Sequence, residues 1–137
     1  MNSSIATEIE LDQPQEEAVG TVEQALAGEG FGVLTRIDLD KAFEEKLGES
    51  FRPYAILGAC NPSLALRAVN AEPEIGLLLA CNVTVEAVSE TKSKVRIIDP
   101  GAMLSFGNLG DNPAVGEVAA EASEKLQRVA ASLQRNR

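Results

Sequence analysis

Ile5, Thr7, Ile9 and Leu11 alternate with Ala6, Glu8 and Glu10, a period of two that predicts a strand with one wet face. The period then lengthens. With Asp12 read as an N-cap and Pro14 in a first helical turn, Ala18, Val19, Val22, Ala25 and Leu26 fall on one helical face until the run AGEG at 27–30 ends it. Alternation returns over 31–39, where Phe31, Val33, Thr35, Ile37 and Leu39 are expected on one face and Leu34, Arg36 and Asp38 on the other. Residues 40–48 read as a short helix capped by Asp40, buried through Phe43 and Leu47 and ended by Gly48.

The second half of the chain repeats these signals. Pro53 opens an apolar strand that reaches Cys60, and Asn61-Pro62 begins a helix, because asparagine is a strong N-cap and proline suits the first helical position. Glu72-Pro73 ends it. Residues 74–88 are the most strand-like of all, with Leu77, Leu79, Cys81, Val83 and Val85 on one face and Leu78, Ala80, Asn82, Thr84 and Glu86 on the other. The apolar run from Ile75 to Ala80 calls for cover on both sides. A polar turn at 89–94 leads into a hairpin partner that Asp99-Pro100 terminates. The Gly- and Asn-rich stretch 101–112 reads as a loop, a lid or a plain connection, anchored by Met103, Leu104 and Phe106. After Asn112-Pro113 a long helix keeps Val115, Val118, Ala119, Ala122, Leu126, Val129, Ala130 and Leu133 in one stripe.

This order predicts a single α+β domain over 1–137, with a core spanning about 5–135. Its sheet of about five strands is expected to be largely antiparallel, with helices packed on one face. Part of the cover for the sheet is expected from a second subunit, since C2 dimers are the commonest oligomers.

Composition narrows the function without naming it. The aromatic share is 4%, tryptophan and histidine are absent, and the formal charge is -9. That field opposes phosphate, so nucleic acid is not expected as a partner. Neither a signal-peptide pattern nor a stretch of roughly 18 apolar residues is present, which leads to an expectation of a cytoplasmic protein with no membrane partner. Two cysteines do not make a secreted disulfide framework, and in a reducing compartment any pairing between them should be transient.

Those cysteines carry the candidate chemistry, because each is followed by asparagine: Cys60-Asn61 and Cys81-Asn82. Cys60 stands just before a helix N-cap, where unpaired N–H groups favour an anion, and is the better candidate for thiol chemistry. Cys81 faces the apolar side of its strand by parity, where a thiol usually acts as a small hydrophobe. Asn61 is accounted for by capping. Asn82 is not, because asparagine is disfavoured in mid-strand unless it is hydrogen-bonded or lines a pocket. Asp99 caps or braces the turn at Pro100, or lends a carboxylate to the same pocket. Arg52 and Tyr54 offer a cation and a hydroxyl, or form a surface ion pair and a core edge.

The blocks EGFGVLT (29–35), FRPYAILGACNP (51–62), EIGLLLACNV (74–83) and IDP (98–100) resemble the bacterial and archaeal domain-of-unknown-function 302 family. The resemblance spans about residues 5–135 and implies an α+β fold like that of the TATA-binding protein, usually dimeric and with no established activity. It carries over no catalytic residues. Members often have proline before the second Cys-Asn and an aromatic or histidine in the helix after the first, where this chain has Ala80 and Leu66.

Three functions fit these features. The first is a small dimeric binding module in which Cys60, Asn61, Cys81, Asn82 and Asp99, with Arg52 and Tyr54 near, surround a cleft for a small ligand or a soft metal ion, without turnover. Two thiolates suit Cu(I) or zinc, but zinc would have to borrow Asp99 or a second subunit to fill its tetrahedron. The second is a redox or sulfur-transfer protein using Cys60 with Cys81 as its resolving thiol, and with no histidine as base. The third is an interaction module with packing cysteines. No cofactor is specified.

Overall fold

A computed structural model describes residues 5–78 and 80–135. Its strands are β1 (Ala6–Leu11), β2 (Gly32–Asp38), β3 (Tyr54–Cys60), β4 (Cys81–Ala87) and β5 (Ser93–Ile98). They form one sheet in the order β1-β5-β4-β3-β2, antiparallel at every pairing. Between and after them run α1 (Gln15–Ala27), α2 (Leu39–Leu47), α3 (Pro62–Ala71), α4 (Pro100–Leu104) and α5 (Pro113–Arg135). The α+β class, the antiparallel sheet and the gathering of helices on one face agree with the sequence reading. Among the described residues no helix is long and apolar enough to cross a membrane.

Strand periodicity sets the core. Ile9, Leu11, Val83, Val85, Val95, Ile97, Ala55, Leu57 and Ala59 project from one face onto Val19, Val22 and Leu26 of α1 and Leu126, Val129 and Leu133 of α5. The N-terminal half of α5 leaves the sheet and packs on a second cluster made of Leu64, Ala68, Ile75 and Leu104. One helix therefore bridges two apolar clusters, and the junction between them lies at the ends of β3 and β4.

Several local expectations change. Asp12 does not cap α1, whose N-cap position is Pro14; instead its carboxylate lies 3.8 Å from the Lys92 ammonium. Helix α2 begins one residue earlier than expected, and the Asp40 carboxylate accepts from the backbone N–H of Tyr54 at 3.0 Å, bracing β3. Phe43 is only half-buried, edge-on to Phe51 at 5.3 Å, and Leu47 is exposed. The run 73–78 is a 3-10 helix, not a strand: Ile75 is buried and Leu77 is 87% exposed. A short apolar run satisfies either geometry, and Ala80, at φ 75, turns the chain before β4 begins at Cys81. Leu79 lies outside the described residues. The stretch 101–112 begins in a helix, because Asp99-Pro100 is a cap-and-proline opening like the other two, and holds a 3-10 turn at Leu109–Asp111.

In β2 the expected alternation fails at one residue. Val33 pairs with Ala59 and Thr35 with Gly58, so Leu34 is an extra residue, a β-bulge. Beyond it the faces exchange: Arg36 and Asp38 lie on the helix side, where the Arg36 guanidinium meets the Glu16 carboxylate at 2.7 Å, and Thr35 and Ile37 move to the open face. Thr35 lies so close over Gly58 that a Cβ there would come within 2.3 Å of its Oγ1.

Candidate functional site

Cys60 is the last residue of β3, and Cys81 the first of β4, paired with Ala59. The antiparallel pairing thus places the two cysteines at one end of adjacent strands, where α3 departs. Both line a single small pocket at the junction of the two apolar clusters, together with Phe31, Ala59, Asn61, Leu64, Ala65, Ala80, Pro100, Met103, Leu104, Val118 and Ala122. Its free volume is about 30 Å³, room for an ion or a water or two.

Both thiols are free and partly buried. Burial, and to a lesser degree the neighbouring Cys60, pushes the Cys81 thiol up to about 11, so it is protonated at neutral pH. Asn61 is engaged at both ends of its amide. Its Oδ1 accepts from the Leu64 N–H at 3.3 Å as the cap of α3, and its Nδ2 donates to the Glu29 carbonyl at 3.4 Å. Glu29 in turn receives Arg128 of α5 at 2.9 Å, so the pocket mouth is tied to three elements. Gly30, at φ +84, makes this approach possible: a Cβ there would stand 3.0 Å from the Asn61 Nδ2.

The other candidates are elsewhere. Asn82 is exposed on the open face of the sheet, paired with Gly58, and so projects away from the side that Cys81 occupies. The Asp99 carboxylate accepts from the Gly101 N–H at 3.1 Å as the cap of α4 and borders a separate groove with Thr7, Ser123 and Gln127. Arg52 and Tyr54 lie at the opposite end of β3 from Cys60, about 20 Å along the strand. There Arg52 donates to Glu86 at 2.7 Å and stacks on Phe51 at 4.4 Å. Arg96 joins Glu86 to Glu8, which completes a charged row across the open face. The Glu86 side chain is 8% exposed. Burial alone would raise its carboxyl; the hydrogen bonds from Arg96 and Arg52 outweigh that and hold it below its ordinary value.

Of the seven candidates, then, Cys60, Asn61 and Cys81 converge, and Asn82, Asp99, Arg52 and Tyr54 do not. Met103 was legible only as an apolar anchor. The signal that would have placed it was Asp99-Pro100, which starts a helix and turns Met103 inward on the fourth helical residue. Among the described residues no group of three or more histidine, cysteine, aspartate or glutamate side chains is placed to hold a metal ion.

Residues 7–133 match the family model for the domain of unknown function DUF302. The fold is also similar to that in a crystal structure of an uncharacterised conserved DUF302 protein from Bacillus stearothermophilus, with a TM-score of 0.80 and 29% identity over 98% of this chain and 100% of that one. No curated protein matches the chain.

Proposed function

The chain belongs to the DUF302 family, and from that premise we propose that it is a small homodimeric binding module that holds a ligand in the Cys60–Cys81 pocket without turning it over. The observation that carries this reading is the convergence of both cysteines on one nearly apolar pocket at the junction of the two clusters. The thiols supply affinity, and the apolar walls keep water from competing. No carboxylate, lysine or arginine lines the pocket and the chain has no histidine, so neither sulfur has a general base beside it.

Support for the homodimer comes from the open sheet face. Ile37, Ile56 and Ile98 stand there beside the Glu8–Arg96–Glu86–Arg52 row, with the helices on the other side. A second copy related by a two-fold axis would cover that face with the same surface. A reducing cytoplasm, where thiols remain free, suits the role.

A second reading rests on the nearness of the two thiols. In it Cys60 and Cys81 form a reversible disulfide, giving two electrons to a disulfide-bearing oxidant and both protons to that oxidant's sulfurs.

Native mass spectrometry of protein purified without added metal or reductant, before and after acid denaturation, tests both. The expected spectrum is a dimer carrying a mass that acid releases. A loss of about two hydrogens per chain that reduction restores would transfer the role to the redox reading. A bare species with two free thiols would contradict both and leave the cysteines as packing residues, and a monomer would contradict the homodimer.

A further inference from the structure

Three sulfur-bearing residues, from three elements, line the pocket: Cys60 at the end of β3, Cys81 at the start of β4 and Met103 on α4. Met103 is one of only two methionines in the chain, and these are its only two cysteines. Resting on the binding reading above, we propose that Cys60, Cys81 and Met103 form a soft-metal site that takes a single Cu(I) ion.

The donor set selects the metal. Thiolate and thioether sulfurs favour Cu(I), whereas calcium, magnesium and manganese require oxygen ligands that these walls lack. The one polar side chain in the lining, Asn61, has its oxygen and its amide nitrogen both committed to backbone partners. Zinc, which prefers four thiolate, imidazole or carboxylate ligands in a closed tetrahedron, finds only the two thiolates here. Pocket size is compatible, since about 30 Å³ admits an ion. Phe31, Leu64, Leu104 and Val118 then act as the dry shell that shields a bound Cu(I) from water and oxidants.

Binding balances without any redox step. A Cu(I) ion arrives already reduced, the Cys60 and Cys81 thiols release their two protons to solvent, two Cu–S bonds form, and the Met103 thioether adds a third, neutral donor. The bound unit carries one net negative charge.

The test is competition for Cu(I) between the full chain and the chromophoric chelator bicinchoninate under anaerobic conditions. Wild type should withhold one Cu(I) per chain. Met103→Leu keeps the apolar volume and removes only the sulfur, so it should weaken Cu(I) about tenfold without lowering the melting temperature. Cys60→Ser and Cys81→Ser should each weaken it about a hundredfold or more. An unchanged affinity in Met103→Leu overturns the three-sulfur site even if the serine variants fail to fold. Wild type yielding all its Cu(I) to the chelator, or holding Zn(II) as tightly, overturns the soft-metal assignment. In that event an acid-released organic mass in the native spectrum would still uphold the binding reading, so the two failures are distinguishable.

Discussion

Cys60 and Cys81 carry the same group in unequal surroundings. Cys81 begins a strand whose inward face is wholly apolar, and burial raises its thiol to about 11. Replacing it with serine puts a hydroxyl on an apolar, partly buried face, which should cost about 1–3 kcal/mol; a chemical denaturation curve superimposable on wild type would refute that placement. Its inward position was legible because a strand's period of two fixes parity once the strand is recognised. Asn82 was expected in the same cleft and is absent from it for that very reason: adjacent strand residues point to opposite faces. The inward turn of Met103 was not legible, since it depends on where α4 docks.

At the scale of elements, the dipeptides Asn61-Pro62, Asp99-Pro100 and Asn112-Pro113 each open a helix, and all three capping side chains accept a backbone N–H. Caps of this kind are local, so sequence reveals them. Asp12 and Asp40 have the same chemistry, but their carboxylates serve Lys92 and the Tyr54 N–H instead, a choice made by tertiary neighbours. The bulge at Leu34 leaves no mark in composition, and it reversed the expected faces of Thr35, Arg36 and Ile37. The junction of Gly30 with Asn61 gives a prediction at this scale. Gly30→Ala forces a side chain into the left-handed region and against the Asn61 amide, which should cost about 1–2 kcal/mol, and Asn61→Ala should cost about 1 kcal/mol through the lost cap. Because the two residues touch, the double variant should cost less than the sum in urea unfolding; strict additivity would show that they do not.

The whole molecule is a five-stranded antiparallel sheet with its helices on one side and a charged row on the other. Glu86 lies at the centre of that row. Its carboxyl is held below the ordinary 4.5, so its contribution to stability is present above that pH and is lost as pH falls through the lower folded value. The melting temperature of wild type should therefore drop on acidification below about pH 4.5, and Glu86→Gln should flatten that acid limb; an equally steep limb in the variant would place the acid sensitivity elsewhere, with Glu16 beside Arg36 the next group to replace. The class, the antiparallel sheet and the long C-terminal helix were legible as periodicity. The pocket was only half legible, because it forms where β3, β4, α3, α4 and α5 meet, and sequence spacing does not report such a meeting.

If the two cysteines share a binding pocket, what the pocket holds depends on Cys60. Native mass spectra of wild type and Cys60→Ser, compared before and after acid, test it most directly. The expected result is a bound mass on wild type that acid releases, and its loss in Cys60→Ser with the oligomeric state unchanged. Wild type with two free thiols and no bound mass, or a bound mass that persists in Cys60→Ser, would contradict it.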